Sequence, residues 1–155
     1  EIVDIAKWAP SWVNYQIARY TLVDDEEIIK EIAEHGVNGF VYNIDTLRTA
    51  KGVAVLSFVK GKSGTYDKEY ITSKGNSWEV FDAGIACQTF CLAAHAKGVG
   101  TCIMGVIDDK SIAKIVNLPE DETVAALIVY GYEDGEHAAP NKRKDVDEIM
   151  RFVDR

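Results

Sequence analysis

The sequence predicts an α+β fold with a central mixed β-sheet flanked by helices and one long, buried central helix. Three observations carry this. Two runs, "VAVLSFV" at 53–59 and "VAALIVYGY" at 124–132, are apolar and rich in β-branched residues, as strands covered on both faces are. Between them "SWEVFDAGIACQTFCLAAHAKGVG" is apolar or small at nearly every position from Val80 to Ala96, which predicts a helix buried on most of its circumference. Strands and helices alternate irregularly along the chain, as in α+β rather than βαβ-repeat proteins.

The elements follow in order. Residues 1–8 place Ile2, Ile5, Ala6 and Ala9 at helical spacing from the first turn, and Pro10 stops that helix. No capping residue precedes it, so the sequence is expected to open inside a helix, with an N-terminal segment preceding it in the full protein. Residues 19–23 read as a strand. Asp24 or Asp25 can cap a helix to about Glu34, and Gly36 and Gly39 break the chain. A short helix is expected near 43–50. Residues 60–77 are polar, contain Gly61, Gly64 and Gly75, and read as a mobile loop or an excursion. Ser77 can cap the long helix, with Glu79 and Asp82 near its start, and Gly98 ends it. "TCIMGV" reads as a strand with Gly105 at its end. Asp108 or Asp109 caps a helix to Val116, and a terminal helix follows the basic run 141–144. All 155 residues read as one domain.

Composition excludes several classes. The chain is 47% hydrophobic and 27% charged, as soluble globular proteins are. Its net charge of −8 argues against a nucleic-acid surface. No apolar run approaches the ~20 residues that span a bilayer. The cysteines Cys87, Cys91 and Cys102 are odd in number and suit a reducing cytoplasm. Cys87 and Cys91 share a helix face at i, i+4. With His35, His95 and His137 scattered, they read as small packed hydrophobes rather than as metal ligands, and no metal is expected. One 155-residue chain struggles to cover both faces of an apolar helix, so a partner subunit is expected over residues 80–96.

Three segments carry polar chemistry. "PSWVNYQ" at 10–16 clusters Pro10, Ser11, Asn14 and Gln16, either as a turn satisfying its own backbone or as a wall facing a ligand. "GVGTCIMG" leads from a helix into a strand, the reverse of a dinucleotide-binding turn. A glycine at a strand end still lets backbone N–H groups approach a flat ligand. "NKRK" at 141–144 puts cations at a helix start, against the macrodipole, either as a solvated run or as an anion site around Arg143. No carboxylate pair stands out on an apolar background.

Together "APSWVNYQ", "FDAGIACQTFCLAAHAKGVGTCIMG", "VAALIVYGY" and "APNKRKDVDEIM" resemble, in order and spacing, the nitroreductase family of FMN-dependent oxidoreductases. The resemblance implies a homodimer with a flavin at its interface. Pro10, Ser11 and Asn14 would lie against the ring with Gln16 close by. Asn43 would contact the flavin, Ile103, Met104 and Gly105 would offer backbone to the ring's reactive edge, and Arg143 would hold the phosphate, helped by Asn141 or Lys142. It also implies NADH or NADPH as reductant, a nitroaromatic, quinone or similar acceptor, ping-pong kinetics, and no catalytic side chain, because the flavin carries the chemistry. Two other readings stand beside it: the same fold with other flavin chemistry, and a flavin-binding protein without efficient turnover. Two departures bear on the site. The family's N-terminal Arg-x-Ser-x-Arg segment has no counterpart here, and its Gln-Pro-Trp is Gln16-Ile17-Ala18.

Overall fold

The computed structural model describes residues 1–135 and 139–153. Four strands form the main sheet in the order β1 (Ala18–Val23), β2 (Gly52–Val59), β6 (Glu122–Gly131), β5 (Gly100–Met104). The small hairpin of β3 (Thr65–Tyr66) and β4 (Glu69–Tyr70) stands apart. Helices cover both faces. On one side lie α2 (Glu26–His35), α3 (Val41–Thr49) and α5 (Asp109–Ile115), on the other α1 (Ile2–Ala6) and α4 (Ser77–Ala96).

The α+β class holds, with one correction. The sheet was expected to be mixed, but each of its three ladders is antiparallel. β2 and β5 do run the same way, joined through α4. β6 inserts between them and opposes both, so the crossover yields no parallel pair. Between β1 and β2 the chain runs through two helices, α2 and α3, and returns antiparallel.

Strand alternation divides the core. Val53 and Val55 of β2 meet Leu127, Val129 and Met104 beneath Ile29, Ile32 and Ile112. Ala54, Leu56 and Phe58 point the other way, with Ile128, onto Ala83, Cys87 and Phe90 of α4. Every residue of β2 from Gly52 to Phe58 is buried, as its apolar run predicts.

The helix ends show which side chains do the capping. Asp25 accepts from the amides of Glu27 (2.9 Å) and Ile28 (3.1 Å). Asp108 accepts from Ser111 N at 3.0 Å, and that bond holds its carboxyl below the usual range. Gly98, at φ 73°, closes α4, where its amide and that of Val99 reach back to His95 and Ala94. Ser77 does not cap α4. It is the first helical residue, and Asn76 stands at the cap without a side-chain bond, because a backbone turn, Ser77 N to Lys74 O at 3.0 Å, already feeds the chain into the helix. The terminal helix α6 (Val146–Ile149) is one exposed turn. No helix among the described residues is long and apolar enough to cross a membrane.

α4 buries Ala83, Ala86, Cys87, Phe90, Ala93 and Ala94 on the sheet, yet leaves Val80, Phe81 and Leu92 each more than half exposed on its outer side.

Candidate functional site

The turn between α1 and β1 is self-bonded and backbone-strained at once. Ser11 Oγ accepts from Gln16 N at 2.8 Å, and Ser11 O accepts from Asn14 N at 3.0 Å. Val13, Asn14 and Gln16 all have positive φ, at 46°, 57° and 50°. Asn tolerates that region, whereas a β-branched Val does not, and such a residue costs about 1–3 kcal/mol unless its surroundings impose it.

Trp12 supplies the constraint. Its amide donates to Asp82 Oδ2 (2.9 Å) and its indole Nε1 to Thr65 O (3.1 Å), while its ring packs 4.8 Å from that of Trp78. Asp82 Oδ2 also accepts from Ser63 Oγ at 2.5 Å. One turn earlier on α4, Glu79 accepts from Gly61 N at 2.5 Å. Both acids are at most 5% exposed. They tie residues 61–65 and the turn to one helix end, so the 60–77 segment is an anchored excursion rather than a free loop. Sequence reasoning placed these two acids only as favourable helix-start charges. Acids three apart on an otherwise apolar helix were the signal of a buried role.

Beside the turn lies a cleft of about 290 Å³, walled by Ala9, Pro10, Ser11, Gln16 and Tyr20 with Asp82 behind. Tyr20 OH donates to Ala86 O at 2.9 Å, and burial, then the neighbouring Cys87 and Cys91, push its pKa up to about 12. Among the described residues the exposed side-chain amide of Asn14 has no hydrogen-bond partner. Of the two readings of "PSWVNYQ", each therefore describes part of the turn: Ser11 satisfies backbone, and Asn14 is left facing outward.

A second group forms at the end of β5. Asn43, nearly buried, donates from Nδ2 to Val106 O (3.0 Å), and Asn38 donates from Nδ2 to Ile107 O (2.9 Å). Asp108 N reaches Gly36 O at 2.8 Å, where a Cβ on Gly36 would meet Ile112 at 2.8 Å. These contacts fix the backbone just past Met104 and Gly105. Met104 is buried and Ile103 half exposed. A Cβ on Gly105 would meet nothing within 4 Å, so the backbone there is open to a flat ligand.

The structure brings Asn43 together with Met104 and Gly105, and Pro10 with Ser11, Asn14 and Gln16. It does not join the two groups. The register sets Leu22, Ala54, Ile128 and Ile103 in one row, so β1 and β5 are opposite edges, three strand spacings or about 14 Å apart. Both groups lie towards the same end of the sheet. Arg143 stands apart from both. It is exposed, and its Nη1 donates to Asn141 O at 2.8 Å.

Cys87 and Cys91 behave as packing residues. Cys87 is buried against the sheet and Cys91 packs beside it, while Cys102 is exposed. Burial pushes the Cys87 thiol up to about 11. His35 and His95 sit exposed in the last turns of their helices, and His137 lies outside the described residues.

Comparison with known proteins is consistent with this fold. A model of the Nitroreductase family matches residues 1–132. The Bacillus subtilis protein MhqN, whose name places it among NAD(P)H nitroreductases, is 24% identical over 99% of this chain and 86% of its own. Among solved structures, an FMN-dependent nitroreductase from Clostridium difficile R20291 superimposes with a TM-score of 0.75 at 26% identity, over 97% of this chain and 83% of that one. A nitroreductase family protein from Streptococcus pneumoniae TIGR4 reaches a TM-score of 0.81 at 20% identity, over 98% and 86%.

Proposed function

The chain belongs to the nitroreductase family, and from that premise we infer an FMN-dependent oxidoreductase that transfers electrons from NADH or NADPH to nitroaromatic, quinone or similar acceptors. The observation that carries this is the pinned turn: Val13 and its neighbours are held in a costly conformation beside a largely apolar cleft, as residues serving a ligand are.

The residues present fit a flat, polar-edged ring. Pro10 and Ser11 offer a wall, Asn14 a free side-chain amide, and the open backbone at Gly105 a polar edge next to Met104. Bound FMN would supply the chemistry, taking a hydride from the reductant and passing electrons to the acceptor. Asn43 acts indirectly by holding the Val106 carbonyl, which sets the backbone that the ring would meet. No side chain is required as general acid or base. Reductant and acceptor would use one space in turn, which gives ping-pong kinetics.

In this reading the molecule works as a homodimer. Two groups on opposite edges of one sheet, whose edge strands lie about 14 Å apart, are better joined around a single ring by a second copy than by one sheet. The exposed apolar side of α4 supports the same arrangement. Arg143 and its neighbours Asn141 and Lys142 would reach the phosphate from the C-terminal segment. Residues 1–155 act as one domain, in the cytoplasm.

The test is a visible spectrum of the purified protein, followed by steady-state oxidation of NADH and NADPH with a nitroaromatic acceptor. Yellow protein that turns over either reductant is the expected result. Colourless protein that takes up no FMN at micromolar concentration sinks the proposal.

A further inference from the structure

A second cavity, of about 370 Å³, adjoins the cleft and shares Ile17 and Arg19 with it. Its walls come from two places. The turn and the start of β1 give Tyr15, Ile17 and Arg19, and the excursion gives Lys62, Asp67 and Lys68. Three cations face one carboxylate there, in a chain whose net charge is −8.

These cations are set by ordered backbone. Lys62 N donates to the buried Glu79 carboxylate at 3.3 Å, next to the bond from Gly61 N. Asp67 and Lys68, at φ 49° and 68°, form the two-residue turn between β3 and β4. Arg19 Nη1 donates to Gln16 O (2.8 Å) and Ala18 O (2.9 Å), which anchors one corner of its guanidinium. Among the described residues its Nη2 and Nε, and the ammonium groups of Lys62 and Lys68, have no acidic partner. Unpaired like charges gathered around a cavity repel one another, and an anion entering it would relieve that repulsion.

We propose that this cavity is an anion subsite, taking a phosphate or carboxylate carried by the small molecule whose reacting part occupies the neighbouring cleft. The proposal rests on the flavoenzyme reading above. The anion has two sources, the extra phosphate that NADPH carries and NADH lacks, or a carboxylate on the acceptor. In either case the subsite discriminates by charge, and neutral ligands gain nothing from it. The excursion then sets substrate choice through its two lysines, while the turn it is pinned to forms the wall of the cleft.

The test uses the full chain and the double variant Lys62→Glu/Lys68→Glu. Both lysines are exposed, where substitutions leave the fold intact. Lys60→Glu/Lys74→Glu, exposed and outside the cavity, makes the same change in net charge and controls for the long-range field. Three ratios are read: KM for 4-nitrobenzoate against nitrobenzene, KM for NADPH against NADH, and the calorimetric Kd of inorganic pyrophosphate. The cavity variant should weaken pyrophosphate binding, and one of the two KM discriminations, by about tenfold at low salt, with the control near wild type. The ratio that moves identifies the source of the anion. If all three hold at wild-type values, or the control loses as much as the cavity variant, the subsite is overturned. If neither NADH nor NADPH is oxidised with a nitroaromatic or a quinone acceptor, the function proposed above fails, while the pyrophosphate titration still decides whether the cavity binds anions.

Discussion

Replacing Asp82 tests whether the site is shaped from a distance. Its carboxylate accepts from Trp12 N at 2.9 Å and Ser63 Oγ at 2.5 Å while 4% exposed. Hydrogen bonds to a charged acceptor contribute about 1.5–3 kcal/mol each, and removing the acceptor orphans two donors. Allowing for partial relaxation, Asp82→Ala should cost about 3 kcal/mol, and Asp82→Asn, which keeps the volume and one acceptor oxygen, about 1 kcal/mol. In a chain of 155 residues the alanine variant should melt roughly 6–12 °C lower. A second effect separates positioning from mere stability. Without Asp82 the turn relaxes from the strain at Val13, and that strain, about 1–3 kcal/mol, must be restored on binding. FMN affinity, titrated well below the melting temperature, should then fall by about tenfold. The exposed Asp4, whose side chain bonds Lys7, is the control, and Asp4→Ala should change neither quantity. An Asp82→Ala protein melting within about 2 °C of the parent would refute the buried clamp. One that melts low but binds FMN unchanged would refute the coupling to the turn.

Four further outcomes are expected. Arg143→Ala should weaken FMN binding by about 1.5–3 kcal/mol, and an unchanged affinity would move the phosphate elsewhere. Brief alkylation at neutral pH should modify the exposed Cys102 and spare the buried Cys87, whose thiol is pushed up to about 11; equal labelling would contradict its packing. The raised pKa of Cys87 also gives stability that is fully present below the unfolded value near 9 and lost as pH rises towards about 11. Denaturant midpoints should fall across that window and fall less in Cys87→Ala, so parallel profiles would count against the assignment. Size measurement at micromolar concentration should show a dimer, broken by Phe81→Glu with Leu92→Glu on the exposed side of α4; a monomeric parent would end the interface proposal.

What the sequence reveals depends on how local the cause is. β2 is legible because a run of seven residues, apolar but for Ser57, has no other comfortable environment. The cap at Asp25 is legible because its acceptor and donors are two or three residues apart. The strand order is not, since nothing within "VAALIVYGY" says that it will insert between β2 and β5 rather than extend an edge. The partners of Asp82 are hidden for the same reason, one of them 70 positions away.

The turn at Pro10–Gln16 shows both kinds of cause acting on one segment. Pro10 and Ser11 mark a turn by their own chemistry, and the amide of Gln16 finds Ser11 Oγ within that turn. Val13 points the other way, because local preference opposes a β-branched residue at positive φ. Its conformation follows from the neighbouring Trp12, which is fixed by the buried Asp82 and by Thr65 in the excursion. The excursion is held in turn by Glu79 on the same helix end. The cleft wall therefore takes its shape from α4 and residues 61–65 as much as from its own sequence. Changes in the excursion that disturb Ser63 or Thr65 will reach the turn through Asp82 and Trp12, whereas changes at Lys62 and Lys68 alter charge without loosening it.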